Sequence, residues 1–149
     1  MVCLGNICRS PMAEGILRDK AKDAGVNISI DSAGTGHWHI GQSPDERAEA
    51  TAKKFGVDIS ALRGRQFSVS DFDEFDEIYV MDKSNYEDVL ALSRNHQDEE
   101  KVEMILNLTS PGKNHSVPDP YFGGISGFDK VFKMLDEACE VIIKKHKNG

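Results

Sequence analysis

The chain has 149 residues, 39% hydrophobic and 29% charged, which suits one globular domain large enough to bury its own core. A formal net charge of −7 argues against general binding to nucleic acid or a membrane surface, and no apolar run approaches the ~20 residues that cross a bilayer. Three cysteines, two of them five apart, do not form a secreted disulfide framework, and early charged residues break any signal-peptide pattern, so the expected compartment is the reducing cytoplasm.

Along the chain, strand and helix patterns alternate without repeats. Val2 and Cys3 end a first strand, and Ser10 followed by Pro11 suits a helix N-cap and first helical position. Met12 to Ala24 then reads as a helix with Met12, Ile16 and Leu17 on an apolar stripe and Gly25 as its stop. Ile28 to Ser32 alternates apolar with polar residues, as a strand does. Ser43-Pro44 predicts the start of a second helix running to about Phe55, ended by Gly56. Glu77 to Met81 reads as a buried strand, Ser84 to Ser93 as a helix capped by Ser84, and Val102 to Leu106 as another strand. A last helix from Ser126 or Gly127 places Phe128, Val131, Phe132, Leu135, Ala138, Cys139 and Ile142 on one face, with Cys139 as core. This order predicts an α/β fold: a doubly wound central parallel sheet of about four strands with helices on both faces. Ligands in such folds sit at the carboxyl ends of the strands, where the loop after Cys3 lies.

That loop carries the chemistry. Cys3 and Arg9 bracket five residues, and a hydroxyl residue, Ser10, follows. Gly5 permits a tight turn that aims the N–H groups of Leu4, Gly5, Asn6, Ile7 and Cys8 into one concavity, and the helix behind adds its positive dipole end. Arg9 supplies a planar fork matched to phosphate oxygens. This positive setting favours the thiolate of Cys3, so the loop is expected to bind phosphate and attack it. Asn6 suits a left-handed backbone. Ser10 serves as helix cap, as donor to the Cys3 sulfur, or both. Cys8 has two readings: a disulfide partner for Cys3 under oxidation, or a buried inert thiol. The histidines show no metal-ligand spacing beyond His37-x-His39, which reads as a surface loop, so neither a metal nor another cofactor is expected.

The run Cys3-Leu4-Gly5-Asn6-Ile7-Cys8-Arg9-Ser10-Pro11-Met12-Ala13-Glu14-Gly15 resembles the signature of the low-molecular-weight protein tyrosine phosphatases. Asp119-Pro120-Tyr121 is similar to the family's other marker, and Ser32-Ala33-Gly34-Thr35 and Met81-Asp82-Lys83-Ser84-Asn85 resemble further family segments in the family order. The likeness runs from Cys3 to about Lys145. It implies hydrolysis of phosphotyrosine in proteins, and of small aryl phosphates, through a phosphocysteine on Cys3. Arg9 would hold phosphate, Asp119 would act as general acid and then base, and Ser32 would hold Asn6. Trp38, in the loop from Gly34 to Ser43, and Tyr121 are candidate walls for a flat ring, with Phe122 beside them; core packing is the other reading for Trp38.

Two departures stand out. Leu62 replaces a histidine that often precedes the family's Arg-Gln pair, here Arg65-Gln66, so the bracing of the loop is expected to differ. Family members open with a short apolar strand, whereas only Met1 and Val2 precede Cys3; the first strand is expected to lack roughly four to six residues of a typical strand. Among rivals, a related arsenate reductase would need a downstream cysteine pair, and only Cys139 is present. A protein-arginine phosphatase would carry threonine at Ile7, and a phosphoprotein-binding module would be expected to lose Cys3 or Asp119.

Overall fold

Ile78, Tyr79 and Val80 are buried on both sides of a strand, and successive side chains divide between two cores. The structure is a computed structural model and describes residues 1–122 and 125–148. Four short strands, β1 (Val2–Cys3), β2 (Ala33–Gly34), β3 (Ile78–Val80) and β4 (Val102–Met104), make one sheet in the order β2-β1-β3-β4. Every pairing is parallel, with Val2 opposite both Ala33 and Val80, and Ile78 opposite Val102. The expected α/β architecture is therefore observed.

Six helices cover the sheet among the described residues: α1 (Arg9–Ala24), α2 (Glu46–Lys54), α3 (Asp71–Glu74), α4 (Lys83–Leu90), α5 (His96–Glu100) and α6 (Ile125–Asn148). On one face α1, α2 and α6 enclose Cys3, Met12, Tyr79, Met81, Leu135 and Ile142. On the other, Phe72 of α3 and Val89 of α4 meet Val2, Ala33, Ile78, Val80 and Met104. All seven residues predicted for the inner face of α6 are buried, and Cys139 is core: burial pushes its thiol up to about 12.

Several boundaries differ from expectation. Helix α1 begins at Arg9, two residues before Pro11, so Ser10 and Pro11 lie inside it and no side chain caps it at Cys8. Ser10 is held by the loop instead, as described below. Gly25 ends α1 in the left-handed conformation, φ 69°, as predicted. The second strand is Ala33–Gly34, not residues 28–32. Ile28 and Ile30 do point inward in alternation with Ser29 and Asp31, but on this edge β1 pairs with Ala33 and Gly34, and Met1 bonds Ala33 N and Asp31 O.

Helix α2 starts after Asp45, whose carboxylate accepts from Arg47 N at 2.8 Å, rather than at Ser43-Pro44. Asp82, not Ser84, caps α4 by accepting from Asn85 N at 2.8 Å. Beyond Met104 the fourth strand tightens into a 3₁₀ turn, Ile105–Asn107.

Candidate active site

Three strand ends converge on the loop that follows Cys3. Gly34, ending β2, passes so close that a Cβ there would lie 2.8 Å from Leu4 O and 3.0 Å from Asn6 N, so a glycine is needed at this approach. Asn6 takes φ 57°, the left-handed turn that folds the loop back on itself. Its N–H then points at the nucleophile candidate: Asn6 N donates to Cys3 Sγ at 3.3 Å. Ser10 Oγ lies 3.0 Å from the same sulfur. The sulfur thus sits between two polar contacts at the head of α1, where the helix dipole favours negative charge.

Asn6 braces the loop with its side chain. Its Nδ2 donates to Ser10 Oγ at 2.7 Å and to Ser32 Oγ at 2.9 Å, and its Oδ1 accepts from Arg65 N at 3.0 Å. Ser32 Oγ in turn donates to Glu14 Oε1 at 2.6 Å, and the buried Glu14 carboxylate pairs with Arg18. Glu14 and Arg18 are thus the acidic and basic ends of the network, while Leu62 packs against the apolar core.

Arg9 is 2% exposed and fixed from two sides. Its Nη1 donates to Asp82 Oδ2 at 2.7 Å and to Val117 O at 3.0 Å. Asp82 therefore serves twice, capping α4 with one oxygen and holding Arg9 with the other. The second terminal nitrogen, Nη2, lies 3.7 Å from Asp119 Oδ2. Asp119 itself is exposed, ahead of the 3₁₀ turn Pro120–Phe122, and its Oδ1 accepts from Tyr121 N at 3.0 Å.

A cleft of about 130 Å³ opens over the loop. It is lined by Cys3, Leu4, Gly5, Ile7, Cys8 and Arg9 below, and by Trp38, His39, Asp119 and Tyr121 around the mouth. Cys3, Arg9 and Asp119, 116 positions apart in the extreme, therefore share one cavity. Asn6, Ser10 and Ser32 do not line it: their side chains lie behind the loop, bonded to one another. Trp38 is 61% exposed, which excludes core packing; its ring stacks on His37 at 5.3 Å and lies over Gly36. The Phe122 side chain lies outside the described residues.

Cys8 is a free thiol, pushed far above its ordinary range by burial and then by the nearby Asp45 carboxylate. His39 was not predicted at the cleft; Gln42 Oε1, accepting from its Nδ1 at 2.8 Å, holds it there. Asp82, Glu14 and Arg47 also escaped the sequence reading. Asp82 had a signal, an acid just past a buried strand in an α/β sheet, and Glu14 had one in its place a turn beyond Ser10 on α1. A wider cavity of about 410 Å³, between Ile28–Asp31 and Glu77–Ile78, holds none of Cys3, Arg9 and Asp119. Among the described residues no helix is long and apolar enough to cross a membrane.

Similarity to known proteins extends over nearly the full length of the chain. A relative from Synechocystis is 46% identical over 140 residues, 93% of this chain and 88% of its own. The low molecular weight phosphotyrosine protein phosphatase of Schizosaccharomyces pombe is 40% identical over 146 residues, covering 96% of this chain and 92% of its own. A crystal structure of a protein tyrosine phosphatase from Entamoeba histolytica superposes with a TM-score of 0.92 at 37% identity, covering 99% of this chain and 95% of that one. Residues 1–148 match the family described as low molecular weight phosphotyrosine protein phosphatase, and the chain belongs to that family.

Proposed function

We propose that this protein hydrolyses phosphotyrosine in proteins, and small aryl phosphates, in two steps at Cys3. The observation that carries the reading is one cleft holding the Cys3 sulfur, the anchored Arg9 guanidinium and the Asp119 carboxyl. In the first step the Cys3 thiolate attacks phosphorus and the bond from phosphorus to the phenolic oxygen breaks. Asp119, entering protonated, gives its proton to that oxygen, so phenol rather than phenoxide leaves. Arg9 and the loop N–H groups stabilise the charge on the equatorial oxygens. In the second step water attacks phosphorus, the phosphorus–sulfur bond breaks, and the water proton passes to Asp119. Phosphate leaves and the thiolate is restored.

Ile7 at the floor and Trp38 and Tyr121 at the mouth give the cleft apolar and aromatic surfaces, which suit an aryl ester. The free thiols of Cys3 and Cys8 suit a reducing compartment, here the cytoplasm. The test is phosphate release from phosphotyrosine and phosphoarginine peptides side by side, with Cys3→Ser as control. Release from phosphotyrosine that vanishes in Cys3→Ser, while that variant still binds inorganic phosphate, is expected. Release chiefly from phosphoarginine, or release by Cys3→Ser, overturns the reading.

A further inference from the structure

Asp119 is exposed, so its direction is set by how the chain on either side of it is held. Upstream, Val117 N donates to Met81 O at 2.7 Å and Val117 O accepts from Arg9. Downstream, Tyr121 O accepts from Arg47 Nη2 at 3.0 Å. The Arg47 guanidinium also lies over two rings, 5.3 Å from the centre of Tyr121 and 4.8 Å from that of Phe128. Further contacts lead toward the phosphate loop. Nε and Nη2 donate to the two Asp45 oxygens at 3.1 and 3.2 Å, and Asp45 N donates to Ile7 O at 2.8 Å.

A continuous path therefore links Ile7, in the loop that carries Cys3, through Asp45 and Arg47 to Tyr121, whose N–H holds Asp119 Oδ1. From this path we infer that Arg47 is a positioning residue for proton donation, setting the Asp119 carboxyl against the Cys3 loop without touching substrate. The inference rests on Asp119 being the general acid.

The chemistry of the side chain explains why an arginine stands there. A guanidinium carries donors on two edges of one rigid plane, so it bonds a carboxylate and a carbonyl at once while its faces cover aromatic rings. A lysine is a single flexible charge and cannot do all three. Proton donation needs the carboxyl within ~2.6–3.2 Å of the ester oxygen, and displacement by ~1 Å is enough to lose much of it. Phosphate binding needs no such alignment, because Arg9 and the loop N–H groups supply it.

The test is a double-mutant cycle of Arg47→Ala and Asp119→Asn, read as kcat/KM for phenyl phosphate and for 4-nitrophenyl phosphate, whose phenol leaves without help. Arg47→Ala is expected to lower kcat/KM for phenyl phosphate ~10–100-fold, the 4-nitrophenyl ester several-fold less, and to leave inhibition by inorganic phosphate unchanged. In the Asp119→Asn background the Arg47 change is expected to cost nothing further on either ester. Arg47→Gln carries the same cycle if the alanine variant folds poorly, and Arg47→Lys is expected to behave like Arg47→Ala. Equal losses on both esters, weakened phosphate inhibition, or losses that add in the Asp119→Asn background overturn the inference. If Asp119→Asn alone spares phenyl phosphate, the acid assignment fails first and this inference falls with it.

Discussion

Asn6 shows how much one residue contributes to the site. It alone among the loop residues takes a left-handed backbone without being glycine, and its side chain ties the loop to Ser10, Ser32 and Arg65. An Asn6→Ala variant keeps the costly φ and loses every side-chain bond, leaving buried Ser32 and Ser10 short of a donor. It is expected to lose ~2–4 kcal/mol of stability in urea unfolding, and Asn6→Gly to regain ~1 kcal/mol of that by relieving the backbone. A glycine variant less stable than the alanine variant would show that backbone strain is not a factor. At Asp119 the expectation concerns the leaving group. Asp119→Ala is expected to slow phenyl phosphate by ~10²–10⁴-fold in kcat/KM and 4-nitrophenyl phosphate far less. Equal losses would remove Asp119 from the acid role.

At the scale of elements, the helix behind the loop is set by packing as much as by pattern. Gly15 sits mid-helix in α1, where alanine would ordinarily gain up to ~1 kcal/mol in propensity. A Cβ there, however, would lie 2.5 Å from Ile59 Cγ2 and 2.9 Å from Val57 Cγ1. Overpacking of that kind costs ~1–3 kcal/mol, so Gly15→Ala is expected to lower the urea midpoint with an unchanged slope. A raised midpoint would mean that the Val57–Ile59 segment yields freely.

Elements with strong internal pattern were legible in the sequence. The face of α6, the run at β3 and the stop of α1 at Gly25 are all where periodicity and glycine chemistry place them. Two of the errors come from partners outside the segment itself. Ser10-Pro11 has the local chemistry of a helix start, but the loop claims the Ser10 hydroxyl and the helix begins earlier. Ile28 to Ser32 alternates as a strand should, yet a ladder needs a neighbour, and β1 reaches only Ala33 and Gly34. At the site, Cys3 and Arg9 were legible from residue type and spacing, and Asp119 from the resemblance of Asp119-Pro120-Tyr121 to a family marker; all three line one cleft. Arg47 and Glu14 were not legible, because their importance lies in what they touch.

The whole molecule places two cores on either side of the sheet, with α6 spanning the face that backs the loop. The end of α6 is fastened to the start of β3 through Glu77, which accepts from Tyr79 Oη at 2.6 Å, pairs with Lys145 and meets His146 Nε2 at 2.6 Å. Burial raises the Glu77 carboxyl, but the bonds from Lys145, Tyr79 and His146 outweigh it and hold the group below its ordinary value of 4.5. A depressed carboxyl stabilises the fold above its ordinary value, and that stabilisation disappears as pH falls through the lower folded value. Glu77→Gln is therefore expected to be less stable than the native chain at neutral pH, with the gap closing below about pH 4. A gap that stays constant from neutral to acid pH would contradict the clasp.

The whole arrangement converges on the Cys3 sulfur, so the most direct measurement is of what forms on it. Protein mixed with an aryl phosphate and quenched in acid within the first turnovers should carry one phosphoryl group on the peptide that holds Cys3, located by mass spectrometry. Cys3→Ser should carry none. Turnover by the native protein with no phosphoryl group on Cys3, or with the group on another residue, would contradict nucleophilic attack by this cysteine.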